Sequence, residues 1–192
     1  MSTIKNPDVI TILATGGTID KFYSVAGTLD IGKPAAHDVL SRVLTDIRFD
    51  IRALIGKDSL DITDEDRAEL VAALNAVEHD QVLITHGTDT LEETAYFLEL
   101  TLDLDIPVII TGAMRSSNEM GSDGLANLRS AIVTAVADQS RGKGVMVVMN
   151  EEIHTATYVT KTHTTNVATF QTPTFGPNGI VSKNQVLYFQ KL

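Results

Sequence analysis

An α/β architecture is the reading this chain supports: a mostly parallel sheet, helices on both of its faces in a three-layer stack, and a terminal β-hairpin. Three observations carry it. Short β-branched runs, apolar throughout, alternate with longer amphipathic stretches, as strands buried on both faces do. Three segments close in Thr-Gly or Thr-x-Gly, at Thr15-Gly16, Thr85-His86-Gly87 and Thr111-Gly112. The 192 residues suit one domain, and a chain of this length buries roughly 70% of its unfolded surface.

The elements follow in order. Val9–Ala14 reads as a buried strand, and the Gly-rich polar stretch Gly16–Ala35 as a loop. Ala36–Leu44 reads as a short helix and Phe49–Leu54 as a strand. Leu70, Val71, Leu74 and Val77 have helical spacing, which predicts a helix over Thr63–Val77 capped by Thr63 with Asp66. Gln81–Thr85 is the next strand, and Leu91–Leu102 a helix with acidic residues in its first turn. Pro107–Thr111 and Val145–Met149 are further strands. Between them lies a helix over Gly124–Ala137 with Leu125, Leu128, Ile132 and Val136 on one face. After Asn150 the helical period is lost, and Ile180–Val181 with Val186–Phe189 form the terminal hairpin.

Composition excludes several classes. Fifteen basic against 25 acidic residues give a net charge of −10, so nucleic acid and anionic membranes are not the expected partners. Cysteine is absent, which removes disulfides and thiol chemistry. No basic segment followed by an apolar stretch opens the chain, and no apolar run nears the roughly 20 residues that span a bilayer. A soluble, cytoplasmic protein is expected. The five histidines show no H-E-x-x-H spacing, so no metal is expected. G-x-G-x-x-G, the Walker lysine and G-x-S-x-G are missing too.

Ligands of open parallel sheets bind beyond the carboxyl ends of the strands. Thr18, Thr88, Asp89 and the segment after Gly112 are therefore expected on one rim. In Ala14-Thr15-Gly16-Gly17-Thr18, the glycines permit a tight turn that presents the Thr18 hydroxyl. The plain alternative is an ordinary strand end. In Thr85-His86-Gly87-Thr88-Asp89, a helix N-terminus makes an anion-receptive spot. There Asp89 has a simpler reading as a helix cap with Glu92 as capping-box partner, and His86 as a structural residue. Lys161, in Thr160-Lys161-Thr162-His163-Thr164-Thr165, is a candidate base if it reaches the buried rim and a solvated lysine if it does not.

Taken together these segments resemble the bacterial-type L-asparaginase family, which includes glutaminase-asparaginases. The matching stretches are Thr11–Ile19, Ile84–Thr90 with Glu92–Phe97, Gly112-Ala113-Met114-Arg115, Asp123-Gly124 with Asn127, Val147–Asn150 and Val159–Thr165. They occur in family order and span nearly the whole chain. The resemblance implies a flavodoxin-like (Rossmann-like) three-layer first domain with an unusual left-handed crossover, and hydrolysis of L-asparagine to L-aspartate and ammonia without a cofactor. It implies Thr18 as nucleophile and Thr88, Lys161 and Asp89 as a proton relay. It implies Ser59 at the substrate α-carboxylate, Asp89 at the α-ammonium, the Thr88 N–H at an oxyanion, Gly17 and Gly87 beside the substrate, and the Ala113 carbonyl near the leaving amide.

The chain departs from the family pattern at three places. It is expected to be one domain over 1–192, without the family's second domain or the acidic contact that domain supplies. The lid after Thr18 is short, so Tyr23 stands as candidate lid tyrosine and Leu29 as the other claimant to that position. Leu60 replaces a residue that is polar in many members, which should weaken discrimination among amides. A small amino-acid amide is the expected partner, and a homo-oligomer (dimer or tetramer) the expected assembly. A non-catalytic amino-acid-binding or regulatory module, or an amidohydrolase acting on another amide such as L-glutamine, remain the competing readings.

Overall fold

The computed structural model describes residues 9–23, 29–31 and 47–189, with the backbone path alone at 22–23 and 29–31. The helix expected over Ala36–Leu44 lies outside the described residues. The strands are β1 (Val9–Gly16), β2 (Lys21–Tyr23), β3 (Leu29–Ile31), β4 (Arg48–Lys57), β5 (Val82–Thr85) and β6 (Val108–Thr111). They continue with β7 (Val145–Met149), β8 (Glu152–Thr155), β9 (Thr160–Lys161), β10 (Phe170–Gln171), β11 (Gly179–Ser182) and β12 (Gln185–Tyr188). The α-helices are α1 (Asp64–Asn75), α2 (Leu91–Thr101) and α3 (Gly124–Val136).

One eight-stranded sheet forms in the order β12-β11-β8-β7-β6-β5-β1-β4. From β4 to β7 all pairings are parallel, and from β7 to β12 all are antiparallel. β1, β5, β6 and β7 are buried at every position. Because side chains alternate along a strand, their residues feed two cores. Leu13, Ile84, Ile110 and Val147 meet Leu70 and Leu74 of α1 and Leu91 and Leu98 of α2. On the opposite face Ile12, Leu83, Ile109 and Met146 meet Leu128, Ala131 and Ala135 of α3. The expected three layers are therefore present.

Individual elements confirm or correct the sequence reading. Thr63 caps α1 in a reciprocal box with Asp66, as expected. The terminal hairpin forms, with Ser182 opposite Gln185. The stretch read as a loop from Gly16 instead holds a 3-10 turn at Thr18–Asp20 and the antiparallel ladder β2–β3. Three-residue strands are too short to show a period of two. In α3 half of the expected apolar face holds: Leu128 is buried and Ile132 packs against the same core. Leu125 is 58% and Val136 39% exposed, while Gly124, Asn127, Ser130, Ala131, Thr134 and Ala135 are buried. Small residues let this helix lie close on the sheet, so its inward stripe is not its most hydrophobic one. After β7 the chain reverses through Asn150 and Glu151, both with positive φ (52° and 63°), and Met149 pairs with Glu152. Two consecutive left-handed residues give the mirror-image turn whose twist suits a two-residue hairpin.

β1 lies between β4 and β5, so the strands that follow it in the main sheet fall on opposite sides. Such a switch point opens a crevice at the carboxyl ends of the strands. The loops after β1, β4 and β5 meet there.

Candidate active site

The crevice is built on contacts too close for any side chain. Gly17 has φ +84°, and a Cβ on it would lie 2.2 Å from the Gly87 Cα. A Cβ on Gly87 would lie 2.7 Å from the Ser59 hydroxyl. A Cβ on Gly112 would lie 2.5 Å from the His86 carbonyl oxygen. The turns after β1, β5 and β6 therefore pack backbone to backbone, and the Ser59 side chain from the turn after β4 closes on Gly87. Deeper in the sheet, the Thr15 hydroxyl donates to the Thr85 carbonyl across β1 and β5 (2.9 Å).

On this frame sit the candidate residues. Thr18 opens the 3-10 turn directly after Gly17 and is partly exposed. Ser59 is buried; its hydroxyl oxygen accepts from the Asp89 N–H (3.2 Å), and its carbonyl accepts from the Thr90 hydroxyl (2.6 Å). The Lys161 ammonium donates to Thr88 Oγ1 (3.0 Å) and to Asp89 Oδ1 (2.6 Å). Lys161 belongs to the small β9–β10 ladder, not to the main sheet. Its backbone N–H is accepted by the Glu92 carboxylate from the first turn of α2.

These contacts correct two readings. Asp89 does not cap α2: Thr90 holds the cap position without a side-chain bond. Glu92 is no capping-box partner, because its carboxylate turns to Lys161. A helix cap and a lysine partner compete for one carboxylate, and the charged donor gives the stronger bond. Lys161 is no solvated lysine, since its side chain is only 12% exposed.

His86 is buried, and its Nδ1 lies 2.7 Å from the Gly87 carbonyl. A carbonyl can only accept, so Nδ1 carries the proton. Burial pushes the imidazole down to about 4, and Nε2 meets no partner among the described residues. The ring is neutral near pH 7 and holds a glycine turn, in keeping with its structural reading.

Ala113 is buried beside this rim. The loop carrying it is held by two residues to which the sequence reading gave no role. The Asp123 carboxylate accepts from the N–H groups of Met114 and Arg115 (3.0 Å each). Asn127 Nδ2 donates to the Gly112 carbonyl (3.0 Å) and to Asp123 (2.9 Å), while its Oδ1 accepts from the Asn150 N–H (2.9 Å). Asp123-Gly124 with Asn127 was visible as a matching motif. Only the fold shows that it clamps the rim. Tyr23 and Leu29 are Cα partners in the β2–β3 ladder, so the two claimants to the lid position face each other across one ladder.

The family model for the asparaginase N-terminal region matches residues 9–192. The chain belongs to the asparaginase family. It is 42% identical over 188 residues to a probable periplasmic L-asparaginase of Haemophilus influenzae, covering 93% of this chain and 53% of that protein. It is 35% identical over 189 residues to an L-asparaginase of Bacillus licheniformis, covering 95% of this chain and 59% of the relative. The crystal structure of a probable cytoplasmic L-asparaginase from Campylobacter jejuni matches it with a TM-score of 0.84 at 38% identity, over 96% of this chain and 57% of that one. The chain thus spans between half and three-fifths of these asparaginase relatives. No helix among the described residues is long and apolar enough to cross a membrane.

Proposed function

We propose that this chain hydrolyses L-asparagine to L-aspartate and ammonia with Thr18 as nucleophile. The observation that carries the reading is the Lys161 ammonium, bonded at once to Thr88 Oγ1 and Asp89 Oδ1 on the rim that Thr18 shares. A threonine hydroxyl is a weak nucleophile and needs a nearby base. In this reading Lys161 works from its amine form: as the Thr18 oxygen attacks the side-chain amide carbon, its proton passes through Thr88 Oγ1 to Lys161 Nζ, and the Asp89 carboxylate balances the charge that forms there. The carbonyl oxygen takes the negative charge and meets the Thr88 N–H. The C–N bond breaks, ammonia leaves with a proton returned by the relay, and water then cleaves the ester on Thr18.

The substrate is held by its backbone-like end: Ser59 at the α-carboxylate, Asp89 at the α-ammonium. Gly17 and Gly87 line it, the Ala113 carbonyl faces the leaving amide, and Tyr23 is carried as the lid residue. The names of the three relatives, L-asparaginase or probable L-asparaginase, support this substrate. Leu60, at 72% exposed, has no polar side-chain atom where many members carry a residue that helps bind the substrate amine, which weakens discrimination among amides. The reading extends to catalysis by residues 1–192, to a cytoplasmic location like that of the probable cytoplasmic L-asparaginase from Campylobacter jejuni, and to a homo-oligomer. Leu187 and Phe189, exposed on and beside the edge strand β12, supply apolar surface for the last of these.

Ammonia release from L-asparagine by the 192-residue chain tests the reading. The parent is expected to turn over, and Thr18→Ala and Lys161→Met to lose at least about 100-fold in kcat. A folded parent that binds L-aspartate but releases no ammonia from asparagine or glutamine would leave a binding module instead.

A further inference from the structure

Lys21 opens β2, three positions after Thr18. Its ammonium pairs with the Asp58 carboxylate, and the two side chains are 11% and 35% exposed. Its backbone carbonyl accepts from both the N–H (3.1 Å) and the hydroxyl (3.0 Å) of Ser117, in the loop after β6. Asp58 in turn caps the 3-10 turn of Ser59–Asp61, its Oδ1 accepting from the Leu60 N–H (3.1 Å). The Lys21 ammonium, more than any other group, holds the Asp58 carboxyl below its usual range. Ser59 then accepts from the Asp89 N–H. One residue thus ties the segment after Thr18 to the turn that carries Ser59 and to the loop after β6.

The sequence reading gave Lys21 and Asp58 no role, and no step of the proposed hydrolysis uses them. A largely buried ion pair is weak evidence for stability, because desolvation offsets most of its attraction. Its geometric consequence is larger. The carboxylate that pairs with Lys21 is the same one that fixes the turn beneath Ser59. We infer that the Lys21–Asp58 pair is a positioning device for substrate recognition, setting the Ser59 hydroxyl against the start of β2 so that an α-amino acid's carboxylate is bound. This rests on the reading of Ser59 as the carboxylate-binding residue.

Steady-state kinetics on L-asparagine tests it, with L-aspartate binding by calorimetry as the second measurement. Lys21→Met and Asp58→Asn are expected to raise KM roughly tenfold, as displaced positioning groups do, with kcat within about twofold. The asparagine side chain at 58 can still accept from the Leu60 N–H, so that variant removes the ion pair and keeps the turn. The double variant should be no worse than either single one, because the two act as a unit. Lys21→Arg should recover most of the affinity. L-Aspartate dissociation should weaken in parallel with KM. Variants with parental KM and aspartate affinity but a lowered melting temperature would overturn the inference and leave a structural tie. A fall in kcat at constant KM would overturn it too. Those results leave the asparaginase reading intact. A parent that neither hydrolyses asparagine nor binds aspartate would remove both.

Discussion

Lys161 shows how residue-level chemistry depends on tertiary placement. Its neighbours in sequence are hydroxyls, and nothing local distinguishes it from a surface lysine. It reaches the candidate site because α2 offers Glu92 to its backbone and the loop after β5 offers Thr88 and Asp89 to its ammonium. His86 is the opposite case, a reactive-looking side chain kept neutral. Its ring takes a proton near pH 6.5 in the unfolded chain but only near pH 4 in the folded one. The unfolded state therefore binds more protons between those values, and folding stability must fall as pH drops through that window. The loss comes to about 2 kcal/mol at pH 5 from this one ring, and none arises above pH 7.5. His154, buried and also held down to about 4, acts in the same direction. Asp58 and Asp66, both lowered by their lysine partners, add a further loss only below their ordinary value of 3.8. Denaturant midpoints at pH 7.5 and pH 5 should differ, and the difference should shrink in His86→Gln. Equal midpoints in the parent would contradict the burial argument.

Elements were legible in proportion to how much of their surface is buried and how long they run. β1, β5, β6 and β7 are buried on both faces, so composition alone marks them. β2, β3, β9 and β10 have two or three residues each and carry no period. The face of α3 is only half legible, because the sheet selects small residues there: Ala131 and Ala135 lie inward beside Leu128, and Leu125 lies outward. The candidate residues Thr18, Thr88, Asp89 and Lys161 could be named from motifs. The contacts by which Asp123 and Asn127 hold the loop after β6, and Glu92 holds the Lys161 backbone, are set by partners distant in sequence and show only in the fold. Glycine conformation is decisive at one turn. Gly17 combines a positive φ with a backbone neighbour where a Cβ would sit. Gly17→Ala should therefore separate the turns after β1 and β5, costing more than about 1 kcal/mol in strain alone and most of the activity. Unfolding and turnover measured together check this, and an alanine variant with parental turnover would refute the packing account.

At the scale of the molecule, the sheet divides into a parallel half that ends with β7 and an antiparallel half that begins with β8. The division also separates the candidate site residues. Thr18, Ser59, Thr88, Asp89 and Ala113 all precede the turn at Asn150 and Glu151, and Lys161 alone follows it. Both turn residues are exposed, and both adopt the left-handed backbone. A chain cut between them would carry the threonines on one fragment and the lysine on the other. Neither fragment alone should release ammonia, whereas re-pairing of β7 with β8 would return Lys161 to Thr88. With the proposed activity, that exposed two-residue turn is a natural place for a split reporter, in which the rate of ammonia production reads how often two tethered fragments find each other.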